Sequence, residues 1–383
     1  MRLPFAALLL TAISTPALAQ VHYYGDLAIA PAGDRIATVE AMDSAAKVVI
    51  RSVADGHILG TVDPCDDCRY SDLTFGPDGT IAFLARGDEG VMLETAKGNR
   101  VRTVATIDGI ASTPRFSPDG KRIALMVTLG AQKEAGARQA GVRQVGEIGE
   151  HFDERRLAIF DVGASVAPDA IKPLSPANRY IYEYDWAPDG RSLVVTSAIG
   201  NGDENWWVAT LDAVDATTGK VRQITKPTTQ LDMPRVSPDG KTVAYIGGLM
   251  SDFGSVGGDI YTVPFSGGTP KNLTQGSDTT NVSLDWGRGG MRTTALKSDT
   301  LQIGAIDATG KAMAPYWGRP ASFSAGDGKA VFSRDGRTVA TVVQDFTHAP
   351  AIYAGPVTAP KQITHDNDDV RPIVEARSIK MDQ

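Results

Sequence analysis

Apolar positions in this chain come in short strand-like runs, each bounded by a polar turn. The clearest example is Lys241-Thr242-Val243-Ala244-Tyr245-Ile246, rich in β-branched and aromatic residues, directly after Ser237-Pro238-Asp239-Gly240. Those four residues suit a type I turn, with Pro presetting φ and Gly240 free to adopt the left-handed conformation of a bulged hairpin. Asp239 is placed to bond back to the local backbone.

The pattern recurs. Related turns stand at Ala30-Pro31-Ala32-Gly33, Gly76-Pro77-Asp78-Gly79, Ser117-Pro118-Asp119-Gly120, Ala187-Pro188-Asp189-Gly190 and Ser333-Arg334-Asp335-Gly336. A degenerate copy, Gly287-Arg288-Gly289-Gly290, is identified by Asp285-Trp286, which matches Asp185-Trp186 ahead of the fourth copy. The closing glycines, 33, 79, 120, 190, 240, 290 and 336, recur about every 50 residues. That period, built from strands only, predicts a β-propeller. A second hairpin follows each turn, at 47–62, 90–106, 157–175, 206–225, 259–274, 300–317 and 351–364. Both counts predict an all-β, seven-bladed β-propeller of four-stranded antiparallel blades over residues 20–369.

The ends read differently. Residues 1–19 combine Arg2, an apolar run and Ala17-Leu18-Ala19, the pattern of a cleaved secretory signal peptide. The expectation is an exported protein, periplasmic or secreted, with no membrane span after cleavage. Cys65 and Cys68 are the chain's two cysteines. In an exported protein a small loop disulfide is the preferred reading, with free thiols and a redox role as alternatives. The stretch Asp366-Asn367-Asp368-Asp369 lacks the Gly and distal Glu of a calcium loop and reads as a solvated linker.

A net charge of -7 argues against a nucleic-acid-binding face. No Gly-x-Ser-x-Gly elbow, His-Glu-x-x-His motif or phosphate loop is present. The five histidines have no context that marks a general base and read as polar surface. No catalytic residue, metal site or cofactor is therefore expected. Interest falls on three excursions: an insertion at 129–156, expected as a loop or marginal helix; the acidic, Trp-bearing loop 200–207; and the Gly-rich loop 247–258. Aromatic and Met side chains in the last two suit either a ligand surface or packing between blades.

The turn and strand x-Ser-Pro-Asp-Gly-Lys-x-Val-Ala-Tyr, followed by Asp259-Ile260-Tyr261-Thr262-Val263-Pro264 and Lys271-Asn272-Leu273-Thr274, resembles repeats of two exported groups. One is the prolyl oligopeptidase family of serine peptidases, with its acylaminoacyl and dipeptidyl peptidase branches. The other is the periplasmic TolB-type protein. Seven blades favour the former, because TolB-type proteins have six and a preceding α/β domain. The stretch 146–156 with its paired arginines looks like that family's blade-three excursion. Residues 370–383, with Ala376-Arg377-Ser378-Ile379-Lys380, look like the connector into its α/β-hydrolase domain.

The resemblance implies a non-catalytic, substrate-gating propeller, truncated before the catalytic Ser, Asp and His. The alternative is a free-standing TolB-like propeller that binds protein or ligand. In the peptidase reading the partners are a peptide substrate and a hydrolase domain or partner protein. The candidate peptide contacts are Glu147, Glu150, Arg155, Arg156, Glu204, Trp206 and Phe253. A propeller that abuts such a domain would expose an apolar face.

Overall fold

The computed structural model describes residues 20–371 apart from 43–44, 89, 132, 136–138, 142–153, 201–202, 251–254 and 307–312. The signal-peptide pattern and most of the 370–383 connector lie outside the described residues.

Seven antiparallel sheets follow one another in chain order. Blade 1 holds Tyr23–Ile29, Arg35–Met42, Ala45–Ser52 and Ile58–Val62. Blade 2 holds Arg69–Phe75, Ile81–Gly87, Gly90–Lys97 and Arg100–Ile107. Blades 4, 5 and 6 begin with inner strands Arg179–Trp186, Gln230–Val236 and Thr280–Gly287 and each add three more strands outward.

Blade 3 corrects the expectation of four strands throughout. Its named strands are Gly109–Phe116, Arg122–Leu129 and Arg156–Asp161. Where a fourth would run, Pro168, Pro173 and Pro176 remove amide donors; the segment bonds its own blade from Leu174 N to Leu157 O at 2.6 Å, while Val166 bridges instead to Ala105 of blade 2. The insertion within this blade carries a short hairpin, Lys133–Ala135 with Gln139–Gly141, and no helix among its described residues.

The turns behave as their chemistry dictates. Gly240 has φ +72°, its amide bonds Ser237 O at 2.8 Å, and Asp239 Oδ1 accepts from Ser237 Oγ (2.6 Å) and Lys241 N (3.1 Å). Asp119 and Asp335 repeat the arrangement. The second strand of each blade lies between neighbouring sheets. It is buried on both faces, as in Thr242–Gly248 and Ser192–Ile199, and so reads as a continuous apolar run. Core clusters accordingly span adjacent blades: Val39, Tyr70 and Phe83 join blades 1 and 2, and Leu27, Ile36, Val342 and Ile352 join blades 1 and 7.

Blade 7 contains Ser322–Ser324, Val331–Phe332, Thr338–Gln344, Ala351–Pro356 and Lys361–Gln362, all from its own stretch of chain. Among the described residues no strand is exchanged with blade 1, and blades 7 and 1 meet through packing, side chains and one backbone bond between their turns, Arg334 N to Pro31 O at 3.0 Å. The stretch read as a solvated linker is the latch. Asn367, 6% exposed, accepts from His22 N at 2.8 Å and donates to His22 O at 2.9 Å and Pro350 O at 2.7 Å. Tyr24 donates to Asp366 at 2.5 Å, and Arg51, held by Glu40 at 2.7 Å, lies 3.6 Å from Asp366. His22 is likewise no surface residue; its Nε2 lies 2.9 Å from Glu40. Gly56 of blade 1 sits so close to Ile363 O that a Cβ would come within 1.7 Å of it.

Candidate functional site: the axial channel and its loop-bearing face

The seven inner strands run side by side around a channel. Each begins on the face that carries the connections between second and third strands, and each ends at a Pro-Asp-Gly-type turn on the opposite face. The three long excursions, in consecutive blades 3, 4 and 5, therefore share one face.

The channel is a cavity of about 1420 Å³. Six carboxylates line it (Asp26, Asp72, Glu183, Asp232, Asp285, Asp327), together with five cations (Arg86, Arg115, Arg155, Arg235, Lys329). Their placement follows the repeat. The residue seven positions before each closing glycine is Asp26, Asp72, Thr113, Glu183, Met233, Ser283 or Lys329. Here the inner strands bulge, and Asp26, Asp72, Thr113 and Met233 adopt positive φ of 29°, 57°, 55° and 55°. The bulge turns the carboxylate toward the next blade. Asp26 accepts from Asp72 N at 3.0 Å, Asp72 from Thr113 N at 2.8 Å, and Glu183 from Met233 N at 2.8 Å. These bonds stitch neighbouring inner strands where no sheet ladder connects them.

Two residues further on, blades 3 to 6 carry Arg115, Asp185, Arg235 and Asp285, alternating in sign around the ring. Arg115 lies 3.7 Å from Asp185 and over the Tyr184 ring at 5.6 Å, and Asp185 accepts from Val236 N at 3.1 Å. Asp327 of blade 7 reaches across the channel to both arginines. It accepts from Arg235 at 3.1 Å and from Arg115.

Electrostatics separate these groups. Burial, with Asp72 alongside, pushes Asp26 up to about 6. Burial also raises Asp285 to about 6 against the pull of Arg235 and Arg292, and raises Glu183. Burial acts on Asp327 in the same sense, but Arg115 and Arg235 outweigh it and hold that carboxyl at about 2.

The residues singled out from sequence separate in space. Arg155 lines the loop-side mouth of the channel, with its guanidinium 5.8 Å from the Tyr180 ring. Arg156 turns away and binds Ser175 O through Nε at 2.7 Å, tying down the outer segment of blade 3. Trp206 is 1% exposed and packs with Tyr180, Tyr182 and Met250 between blades 4 and 5, whereas neighbouring Trp207 is 50% exposed. Glu204 lies in the 3-10 turn Asp203–Val208. Glu147, Glu150 and Phe253 lie outside the described residues. Cys65 and Cys68 form a disulfide. No group of three or more metal-ligating side chains exists among the described residues.

The charged channel ring was missed by the sequence reading. Its signal was available as polar residues at fixed offsets before the closing glycines. A further feature is apolar. Of thirteen exposed large hydrophobics among the described residues, nine lie on the loop-bearing face: Val21, Tyr23, Leu129, Ile199, Trp207, Val208, Leu249, Leu296 and Phe346. The other four, Ile58, Leu59, Val101 and Tyr316, sit on outermost strands, the first three toward the Pro-Asp-Gly face and away from the channel.

No family model matches the chain. Dipeptidyl-peptidase 5 of Trichophyton schoenleinii is 34% identical over 174 residues, covering 37% of this chain and 21% of that protein. Among solved structures, a Mycobacterium tuberculosis puromycin-hydrolyzing peptidase superposes with a TM-score of 0.66 at 13% identity, over 92% of this chain and 55% of that one. The β-propeller domain of the Trilobed protease from Pyrococcus furiosus, described as having an open velcro topology, gives 0.61 at 12% identity over 94% and 100%. The chain spans about half the length of the solved peptidases it resembles and about a fifth of the curated relatives. The fold is the seven-bladed propeller found as the N-terminal part of prolyl oligopeptidase-type peptidases, and the match covers that part alone.

Proposed function

We propose that this chain is the non-catalytic, peptide-gating propeller of an exported serine peptidase of prolyl oligopeptidase type. One observation carries the reading: nine of the thirteen exposed large hydrophobics among the described residues surround the loop-side mouth of a charged channel, and those toward the opposite face lie only on outermost strands. An apolar annulus on one end of a rigid ring suits a closely packed hydrolase domain, and the channel inside it suits an extended peptide. The ring excludes a folded protein by size and admits a flexible segment. Arg155 at the mouth is a peptide-contact candidate, with Glu147, Glu150, Glu204 and Phe253 on the neighbouring excursions. The likeness to dipeptidyl-peptidase 5 and the peptidase propellers supports this reading, and the pattern of residues 1–19 supports export.

Hydrogen exchange of the purified chain with an unstructured twelve-residue peptide, and separately with a small folded protein, tests the proposal. The peptide should protect 203–209 and 255–258 and the starts of the inner strands, and the folded protein should protect nothing. Protection confined to the Pro-Asp-Gly face, or none at saturating peptide, contradicts it. A serine-directed fluorophosphonate should leave the chain unlabelled; stoichiometric labelling of one serine overturns the non-catalytic assignment.

A further inference from the structure

Blade 7 departs from the repeat at one place. The other six inner strands cross the channel wall with only a local bulge, but in blade 7 the strand stops at Ser324 and resumes at Val331. The intervening Ala325-Gly326-Asp327-Gly328 is a tight turn, closed by Gly328 N to Ala325 O at 2.9 Å, with Gly326 at φ +50°. Its tip delivers Asp327 into the channel.

The resulting contact is chemically incomplete. Arg115 and Arg235 both bind the same atom, Asp327 Oδ2, so neither guanidinium engages the carboxylate through its two-pronged fork. Arg115 Nε is buried without a hydrogen-bond partner. Arg235 completes its coordination weakly, with Pro234 O at 3.0 Å and the Met233 thioether at 3.6 Å. The arginines are largely buried, yet Asp327 is 46% exposed and faces the open cavity. Two fixed cations are thus capped by a solvent-accessible carboxylate on a glycine-flanked turn.

We propose that Arg115 and Arg235 form a binding site for a carboxylate group of a small peptide, and that Asp327 occupies this site as a built-in competitor. A diffusible carboxylate would offer two oxygens to two guanidiniums, including the unused Nε–H of Arg115. Occupation requires Asp327 to withdraw, which a turn between two glycines permits. The site would bind either a peptide C-terminus or an acidic side chain. It does not depend on the peptidase assignment, since it rests on the channel geometry alone.

Calorimetric titration with three probes reads the site: acetyl-Ala-Ala with a free C-terminus, its C-terminal amide, and acetyl-Glu-amide. Asp327→Ala should bind one or both carboxylate probes about 10–100-fold more tightly than the wild type, the span expected for removing a charge-assisted competitor. The amide of acetyl-Ala-Ala should not gain. Adding Arg235→Gln should abolish the gain. The two carboxylate probes distinguish a C-terminus from a side chain. Equal affinities of wild type and Asp327→Ala, or equal gain for carboxylate and amide, overturn the proposal. Asp327→Asn, which keeps the volume, repeats the comparison if the Ala variant does not fold. In the wild type, saturating acetyl-Ala-Ala or acetyl-Glu-amide should shift the Arg115 Nε–H resonance; an unmoved resonance with both also overturns it.

Discussion

Replacing Asn367 by Ala removes the latch between the two ends of the ring. The side chain makes three hydrogen bonds, at 2.7 to 2.9 Å, and joins residues 345 positions apart in sequence. Its loss strands His22 N–H, His22 C=O and Pro350 C=O. A lost hydrogen bond costs about 1 kcal/mol net and a buried unsatisfied group about 1–3. Water can reach part of the half-buried His22, so the expected loss is about 2–4 kcal/mol rather than the full sum. With an unfolding entropy of about 2.1 cal/mol/K per residue over a domain of this size, that lowers the melting temperature by about 3–6 °C. Differential scanning calorimetry of the variant against wild type gives the number. Ser117→Ala, which breaks one turn within a single blade, serves as comparison and should cost less. A melting temperature within 1 °C of wild type would show that the ends are held by the Leu27–Ile352 core alone and would refute the latch.

Three further outcomes are expected. Asp26→Asn should stabilise the protein above pH 6: the folded-state pKa of Asp26 is raised to about 6, so wild type loses stability as pH rises from about 4 through 6. The gain, about 1–2 kcal/mol at pH 8, should vanish by pH 4 in paired melts. Asp327 works in the opposite sense. Held at about 2 by Arg115 and Arg235, it supplies stability present above about pH 4 and lost as pH falls toward 2, and Asp327→Asn should flatten that limb of an acid-unfolding curve. Replacing Cys65 and Cys68 by Ser opens a loop of sequence separation 3 and should cost about 2 kcal/mol, read in the same melts.

The scaffold was legible because its information is local and repeated. Ser237-Pro238-Asp239-Gly240 encodes a turn by itself, and seven such turns at a blade-length period leave one architecture. The exceptions were legible only in three dimensions. Pro168, Pro173 and Pro176 unmake the outer strand of blade 3, although the apolar pattern around them still reads as a hairpin. Asp366-Asn367-Asp368-Asp369 looks like any acidic linker, and its partners at His22 and Tyr24 lie at the other end of the chain. Trp206 and Trp207 are indistinguishable in sequence, and a single 3-10 turn sends one into the core and the other to solvent. The channel charges fall between these cases. Arg115, Asp185, Arg235 and Asp285 occupy one repeat position and can be aligned by counting back from the glycines, but the convergence of the two arginines on Asp327 needs the ring to close.

The central claim is that the loop-bearing face is an interaction face built around the channel mouth. Sedimentation velocity across a hundredfold concentration range, on wild type and on the double variant Leu249→Glu, Phe346→Glu, tests it most directly. Leu249 is 90% and Phe346 76% exposed, so neither change disturbs the core. With its apolar annulus uncovered, the wild type should self-associate as concentration rises, and the double variant should stay monomeric with an unchanged melting temperature. A wild type that sediments as a concentration-independent monomer, or a double variant that associates equally, would contradict the account.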